Sequence, residues 1–261
     1  MKFTKMQGTG NDFIVIDQRE KQFGLSKSLI KRLSDRHFGI GFDQLLILEK
    51  SNSNNVDFKY RIFNSDGGEV EQCGNGARCF YKYIKKYQLS SKSTIQVETK
   101  SGIILLSENS EGMVKVDMGM PVIKDTINNN GISYDHVSIG NPHAVINLRE
   151  NNILEENFRE ISLNIQSSWE DGINVGFMSV IDKSSIRLKV FERGSGFTMA
   201  CGSGACAAAA VAISKKNVET PVNVHMDGGI VKIDWDMKNT ITLSGSAEIS
   251  FEGDINLAEY S

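Results

Sequence analysis

The chain has 261 residues, of which 40% are hydrophobic and 23% charged, and its formal net charge is -3 at pH 7. This composition is typical of a globular protein with one large domain or two small ones. The slight negative charge leaves no broad basic surface for phosphate groups, so we expect a small-molecule ligand and no nucleic acid. No window approaches the roughly 18 apolar residues of a membrane span, so we expect a cytoplasmic protein without a membrane partner.

Four cysteines fall in two pairs, Cys73 with Cys79 and Cys201 with Cys206. The spacings do not resemble the disulfide framework of a small secreted domain, so we expect reduced thiols. Neither pair has the C-x-x-C spacing and only four histidines are present, so the sequence gives little support to a structural zinc site and we expect no metal.

Hydrophobic alternation and turn residues predict short strands in the first part of the chain, at residues 2–7, 13–17, 45–48, 57–63, 94–98, 103–106 and 113–118. One helix is predicted to begin at Ser26 and end near His37, and a second to run from Gly74 to about Tyr87. The second part repeats this plan, with strands at 133–139, 144–148, 175–181 and 186–191 and a helix at 153–163. A final strand is predicted at 247–255.

Two segments carry nearly the same motif, Cys73-Gly74-Asn75-Gly76-Ala77 and Cys201-Gly202-Ser203-Gly204-Ala205. At a similar sequence offset, Asn11 corresponds to Asn141, Gln44 to Asn174, and Asn64 to Glu192. We therefore expect an α+β fold of two pseudo-symmetric halves, each with strands wrapped round a central helix, and an active site in the cleft between them. The halves are predicted at 1–118, joined by 247–261, and at 119–246, because turn residues interrupt the pattern near 118–130.

Each duplicated cysteine directly precedes a helix, where unsatisfied N–H groups and the helix dipole favour a thiolate. The N–H groups of the following Gly-x-Gly segment can also bind a carboxylate. Cys79 and Cys206 lie inside the helices and are interpreted as small buried hydrophobic residues.

Polar residues at equivalent strand ends and turns can converge on a ligand, although a single asparagine beside a glycine is more often a turn residue. Arg193 follows Glu192 and can bind a carboxylate through its guanidinium, or it can form a surface ion pair. His143 can carry a proton near neutral pH, and a hydrogen-bonded structural role is an equally good interpretation.

Seven motifs together resemble the diaminopimelate epimerase family across nearly the whole chain. They are Gly8-Thr9-Gly10-Asn11-Asp12-Phe13, Arg36-His37-Phe38-Gly39-Ile40-Gly41-Phe42-Asp43-Gln44, Phe63-Asn64-Ser65-Asp66-Gly67, Cys73-Gly74-Asn75-Gly76-Ala77-Arg78, Gly140-Asn141-Pro142-His143, Glu192-Arg193-Gly194 and Ala200-Cys201-Gly202-Ser203-Gly204-Ala205. The resemblance implies a homodimeric, cofactor-independent epimerase that interconverts the LL and meso forms of 2,6-diaminopimelate for lysine and cell-wall precursor synthesis.

The resemblance also implies roles for individual residues. Cys73 and Cys201 correspond to the two catalytic bases, which remove and return the α-proton on opposite faces of the substrate. The remaining positions imply three groups: Asn11, Asn64, Asn174 and Arg193 at the end that does not react; Gln44, His143 and Glu192 near the reacting centre; and Gly74, Asn75, Gly202 and Ser203 at the helix starts that bind the carboxylate. His143 and Glu192 are further expected to set the protonation states of the thiols.

The chain departs from the family pattern at Phe42, where a small residue is common, and at Phe197, where an acidic residue is usual. Both positions bear on loop packing rather than on the reaction. Three alternative functions remain open from the sequence: a proline racemase or hydroxyproline epimerase of the same fold, a thiol redox protein using Cys73 with Cys201, and a protein that binds an acidic ligand at the paired helix starts.

Overall fold

The computed structural model of the protein describes residues 1–53, 55–71 and 73–260. The chain folds into two compact units, one formed by Met1–Val116 with the C-terminal segment from Gly245, and the other by Asp117–Ser244. The α-helices are α1 (Lys27–Ser34), α2 (Gly74–Lys86), α3 (Leu148–Asn151), α4 (Phe158–Ser167) and α5 (Gly202–Ser214).

Eighteen β-strands are present in the part of the chain that the structure describes. They are β1 (Lys2–Gly8), β2 (Asn11–Asp17), β3 (Gln44–Glu49), β4 (Phe58–Asn64), β5 (Glu69–Val70), β6 (Thr94–Thr99), β7 (Gly102–Glu108), β8 (Val114–Asp117), β9 (Val122–Asn129), β10 (Ile132–Ser138), β11 (Pro142–Asn147), β12 (Asn174–Asp182), β13 (Ser185–Glu192), β14 (Gly196–Thr198), β15 (Val222–Met226), β16 (Gly229–Asp234), β17 (Thr242–Gly245) and β18 (Glu248–Asp254).

The strands of the two units follow the same hydrogen-bonding order. In the first unit the order is β18, β1, β2, β3, β4, β6, β7 and β8, with β5 also paired to β4. In the second unit it is β9, β10, β11, β12, β13, β15, β16 and β17, with β14 also paired to β13. The parallel pairs are β2 with β3 and β4 with β6 in the first unit, and β11 with β12 and β13 with β15 in the second. The prediction of two pseudo-symmetric α+β halves is therefore confirmed.

One helix in each unit packs against strands from distant parts of its sheet. Helix α2 contacts β1, β2, β3, β7 and β18, and helix α5 contacts β10, β11, β12, β13, β15 and β16. All residues of α5 from Gly204 to Ile213 are buried, as expected for a helix that is small and apolar on every side. Each sheet therefore wraps around a central helix, and each central helix begins directly after one of the duplicated cysteines.

Two predicted helices have different bounds in the structure. Helix α1 ends at Ser34 rather than near His37, because the Asp35 carboxylate accepts hydrogen bonds from the N–H groups of His37 and Phe38, both at 2.8 Å, and turns the chain. The helix predicted at 153–163 is replaced by a 3-10 turn at Glu155–Asn157 followed by α4.

Strand β9 occupies the region that was predicted to be an irregular boundary between the halves. No residue of β9 is buried, so its sequence lacks the alternation of apolar and polar residues that marks a half-buried strand. It pairs with β10 and extends the sheet of the second unit at one edge. The turn residues Asn128 to Gly131 form the connection between β9 and β10 and do not separate two domains.

Candidate active site

The two duplicated cysteines cap their helices in the same way. Cys73 precedes α2 with extended backbone angles, φ -145° and ψ 111°, and its Sγ accepts a hydrogen bond from the Gly76 N–H at 3.4 Å. Cys201 precedes α5 with φ -130° and ψ 115°, and its Sγ accepts from the Gly204 N–H, also at 3.4 Å. Each sulfur thus occupies the capping position that serine or aspartate takes in most helices, where a thiolate is stabilised by N–H groups and the helix dipole.

The surroundings of the two sulfurs differ. Cys73 is half-buried and its Sγ lies 3.9 Å from the Asn11 side-chain oxygen. Cys201 is buried, and its Sγ lies 3.6 Å from the Ser203 hydroxyl. Burial raises the pKa of Cys201 well above its ordinary value, and the Glu192 carboxylate raises it further, against the opposing effects of Ser203 and the helix N–H group. The Cys201 thiol is therefore protonated at neutral pH.

In the first unit, polar side chains lie on the three neighbouring strands β2, β3 and β4. Gln44 is paired with Asn64 across β3 and β4, and its Nε2 donates to the Asn64 Oδ1 at 2.8 Å. The Gln44 Oε1 is buried and has no hydrogen-bond partner among the described residues. A buried carbonyl oxygen without a donor is costly, so this oxygen is a natural acceptor for a ligand N–H group.

The side chain of Asn11 is held by a network of charged residues in the first unit. Its Nδ2 donates to the Asp43 carboxylate at 2.9 Å, and Arg36 forms ion pairs with both Asp43 and Asp12 at 2.8 Å. Lys5, which is buried, completes the network through Asp12 at 2.6 Å. Burial acts to raise the pKa of Asp12, but the hydrogen bonds from Arg36 and Lys5 dominate and hold that pKa far below its usual range.

The first turn of α2 is fixed from beneath by a buried arginine. Arg78 is fully buried, and its Nη1 donates to the Asn75 Oδ1 at 3.0 Å while its Nε donates to the Ser246 carbonyl oxygen at 3.0 Å. The Arg78 guanidinium also donates to the Thr9 hydroxyl. Arg78 therefore fixes the orientation of the Asn75 side chain. Gly74 and Asn75 are both buried at the helix start.

In the second unit, the predicted residues form a connected set on β11, β12 and β13. His143 lies opposite Asn174 in the parallel register, and its Nε2 is 3.0 Å from the Asn141 Oδ1. Burial lowers the pKa of His143 to about 3, so the imidazole is neutral near pH 7 and can accept or donate a hydrogen bond without being a cation. The Asn174 Oδ1 accepts from the Arg193 backbone N–H at 2.9 Å.

The exposed Arg193 and the half-buried Glu192 form hydrogen bonds with different partners. The Arg193 guanidinium donates to the Asp171 carbonyl oxygen at 2.7 Å and forms no ion pair within residues 1–53, 55–71 and 73–260. The Glu192 carboxylate accepts from the Thr198 hydroxyl at 2.6 Å and acts on the Cys201 thiol.

The two departures from the family pattern are packed against other side chains. Phe42 is buried in the apolar core of the first unit with Ile30 and Leu33. Phe197 meets Phe191 edge to face, with ring centroids 5.0 Å apart, and both rings lie below the Arg159 guanidinium. Both phenylalanines thus support the segments that carry Gln44 and Glu192.

Several residues that act on the site were not singled out from the sequence. They are Lys5 and Thr198, together with Asp12, Arg36, Asp43 and Arg78, which the family motifs contain but to which no role was given. Their positions in the sequence could have identified two of them, because Asp12 and Asp43 directly adjoin the predicted residues Asn11 and Gln44. Among the described residues, no group of three or more histidine, cysteine or acidic side chains could hold a metal ion. The described part of the chain contains no helix long and apolar enough to span a membrane.

Solved structures show which class of fold this is. A phenazine biosynthesis protein of the PhzF family from Bacillus anthracis matches with a TM-score of 0.75 and 18% identity, covering 98% of this chain and 99% of that one. A hydroxyproline epimerase from Agrobacterium vitis matches with a TM-score of 0.72 and 13% identity, covering 97% and 91%. The chain has the two-unit fold that these proteins share.

Sequence comparison then gives the family. The model described as diaminopimelate epimerase matches residues 3–124 and 136–250. Proteins named diaminopimelate epimerase from Nitrosomonas eutropha and Nitrosomonas europaea are 45% and 43% identical to the chain, each covering 98% of it and 99% of their own length. The counterpart from Coxiella burnetii is 42% identical, covering 97% and 98%. The chain belongs to the diaminopimelate epimerase family, a family of isomerases.

Proposed function

We propose that this protein interconverts LL- and meso-2,6-diaminopimelate by transferring a proton at one α-carbon, with Cys73 and Cys201 as the two proton-transferring groups. The observation that carries the proposal is the matched capping geometry of the two cysteines, each with its sulfur 3.4 Å from a helix N–H group. The helix N–H group at such a position favours the thiolate, the form that a cysteine needs when it acts as the base.

The chemical difficulty of the reaction is the carbanion that forms when the α-proton leaves. Charge develops on the α-carboxylate, which needs N–H donors placed before the reaction begins. The helix starts at Gly74 with Asn75 and at Gly202 with Ser203 supply such donors, and each is held by its own helix. No cofactor is required in this proposal, because the donors stabilise the carboxylate directly.

The two cysteines take opposite roles in each turnover. One thiolate removes the α-proton from one face, and the thiol of the other cysteine returns a proton to the opposite face. Cys201 is suited to begin as the proton donor when Cys73 is the base, because Cys201 is buried beside the Glu192 carboxylate. In the reverse direction the two residues exchange roles.

The unreacting end of the substrate carries a second amino group and a second carboxylate. Asn11, Asn64 and Asn174 can bind these groups by hydrogen bonds, and the guanidinium of Arg193 can bind the carboxylate. Near the reacting centre, the buried Gln44 oxygen provides an acceptor for an ammonium group, and the neutral His143 adds a hydrogen-bonding group beside Asn174. We further propose a homodimer in the cytoplasm, as the family assignment suggests.

Exchange of the α-proton with solvent tests the proposal directly. The purified, reduced protein is incubated with LL-diaminopimelate in heavy water without added cofactor, and deuterium at the α-carbon is measured by mass spectrometry together with formation of the meso isomer. We expect both signals from the wild-type protein and their loss in Cys73→Ser and in Cys201→Ser. Cys79→Ala is the matched control, because this buried thiol lies inside α2 and is expected to leave most activity. Absence of exchange in the reduced wild-type protein would reject the proposal.

A further inference from the structure

Thr198 and Glu192 are brought together by the hairpin that precedes Cys201. In the antiparallel pairing of β13 with β14, Val190 lies opposite Thr198 and Phe191 opposite Phe197. Because side chains alternate between the two faces of a strand, Glu192 lies on the same face as Val190 and therefore near Thr198. The Thr198 hydroxyl donates to the Glu192 Oε1 at 2.6 Å, the short distance typical of a hydrogen bond to a charged acceptor.

The opposite face of this hairpin is held by aromatic packing. Phe191 and Phe197 pack edge to face at an angle of 85°, and the Arg159 guanidinium lies 5.8 Å and 5.9 Å from the two ring centroids. Such contacts fix the register of the two short strands. The register in turn places Glu192 on the same face of β13 as Val190, and this face meets the first turn of α5, because the Val190 Cγ2 would lie 3.4 Å from a Cβ atom at Gly204.

The equivalent hairpin of the first unit lacks both members of this pair. There β4 pairs with β5, and Ile62 lies opposite Val70 just as Val190 lies opposite Thr198. Val70 has no hydroxyl group, and the position of Glu192 is taken by the uncharged Asn64, which accepts from Gln44 instead. The threonine and the carboxylate are therefore present together in one unit and replaced together in the other, which indicates that they act as a pair.

The groups that act on the Cys201 thiol come from two elements. Strand β13 contributes the Glu192 carboxylate, and helix α5 contributes the Ser203 hydroxyl and the Gly204 N–H group. The helix groups favour the thiolate, whereas the carboxylate disfavours it through its charge and by accepting a hydrogen bond from the thiol. A carboxylate that is free to rotate would lose much of this effect, because the hydrogen bond depends on its orientation.

We propose that Thr198 is a positioning residue that holds the Glu192 carboxylate against Cys201, so that the carboxylate adds to the effect of burial in favouring the thiol, the form that donates a proton. The proposal rests on the proposed function for the role of Cys201, but the position of the carboxylate can be measured without turnover. Thr198→Val is the natural test, because valine has nearly the same shape and is the residue at the equivalent position of the first unit. Thr198→Ser keeps the hydroxyl and is the rescue variant.

The primary measurement is alkylation of Cys201 by iodoacetamide as a function of pH, quantified on the peptide that contains this residue. We expect Thr198→Val to move the midpoint of alkylation to lower pH by about one unit, the size of one lost charge-assisted hydrogen bond. Thr198→Ser should retain the wild-type midpoint. Thr126→Val is the matched control, because the Thr126 hydroxyl donates to the Asp135 carboxylate at 2.7 Å in the same unit; this variant should leave the Cys201 midpoint unchanged.

Steady-state kinetics provide the second measurement. Thr198→Val should lower kcat about tenfold with little change in KM, because the hydroxyl contacts a protonation partner and not the substrate. The fall in kcat/KM must be equal in both directions, since the equilibrium constant does not depend on the enzyme. Two results would overturn the proposal. One is a Cys201 alkylation midpoint that is unchanged or moves to higher pH in Thr198→Val, and the other is a Thr198→Ser variant as impaired as Thr198→Val. Failure of the exchange experiment would reject the epimerase function and leave the alkylation result to stand alone.

Discussion

Gly76, in the first turn of α2, has no room for a side chain, chiefly because of one hydroxyl group; the next nearest atoms, Leu46 Cδ2 and Phe13 Cε1, would lie 3.2 Å and 3.3 Å from a Cβ atom. A Cβ atom at this position would lie 2.4 Å from the Tyr60 hydroxyl oxygen, a distance that Cβ atoms essentially never show. The Tyr60 ring is buried and packs on Phe80 with centroids 4.4 Å apart, so it cannot swing aside cheaply. We predict that Gly76→Ala destabilises the protein and that Tyr60→Phe, which removes the oxygen, relieves the effect.

The magnitude follows from two opposing effects. Overpacking a rigid site costs about 1–3 kcal/mol, and this close contact places Gly76→Ala at the upper end of that range. Replacing a helical glycine by alanine returns about 1 kcal/mol, so the net destabilisation is about 2 kcal/mol. The Tyr60 hydroxyl has no hydrogen-bond partner among the described residues, so Tyr60→Phe alone should be neutral or stabilising by about 1 kcal/mol. With Phe at position 60, Gly76→Ala should be nearly neutral, which gives a coupling of about 2 kcal/mol.

Urea unfolding followed by far-UV circular dichroism measures the four proteins of this double-mutant cycle. Tryptophan fluorescence is unsuitable, because Trp169 and Trp235 both lie in the second unit. Gly204→Ala is the matched control: it occupies the same helix position in the second unit, and its Cβ would lie no closer than 3.3 Å to any neighbour, so we expect a cost below about 1 kcal/mol. Equal destabilisation by Gly76→Ala in both backgrounds, within about 0.5 kcal/mol, would refute the reasoning.

Three further predictions concern charge and exposure. The pKa of Asp12 is held far below its usual range by two cations, so the free energy of unfolding should fall as the pH drops below about 4. A pH series of urea titrations measures this fall, which should be smaller in Asp12→Asn. At pH 7 iodoacetamide should modify Cys73 at least about tenfold faster than the buried, protonated Cys201; equal rates on the two peptides would contradict this. Asp43→Ala should raise the KM for diaminopimelate about tenfold with a smaller change in kcat, because it releases the Asn11 side chain; an unchanged KM would contradict this anchoring role.

The duplicated motif made much of the fold predictable. Two nearly equal cysteine segments at equivalent positions implied two halves of one topology, and the structure has the same strand order in both units. The predicted strands and helix α2 lie close to their predicted bounds, whereas helices α1 and α4 do not. Strand β9 was missed for a physical reason: both of its faces are accessible to solvent, so its sequence carries no periodic signal.

The predicted site residues followed from the repeat and the family resemblance, whereas the contacts that orient them did not. Thr198 is six residues from Glu192 in the sequence, and only the register of the hairpin shows that the two side chains meet. The contact of Tyr60 with Gly76 depends on how β4 packs against α2, which no local pattern reports. The sequence thus indicates which residues belong to the site, whereas tertiary packing decides which of their side chains contact and orient one another.

Strand β18 has a consequence for how the chain acquires its structure during synthesis. It hydrogen-bonds to β1, so one edge of β1 is completed by residues that are translated only after the whole second unit. The second unit is continuous in sequence and has every strand of its sheet once Gly245 has been made. An unpaired strand edge can bind other chains in the crowded surroundings of the ribosome. The edge of β1 is exposed to that risk until residues 248–254 emerge, so the sheet of the first unit is completed only after the second unit has been made.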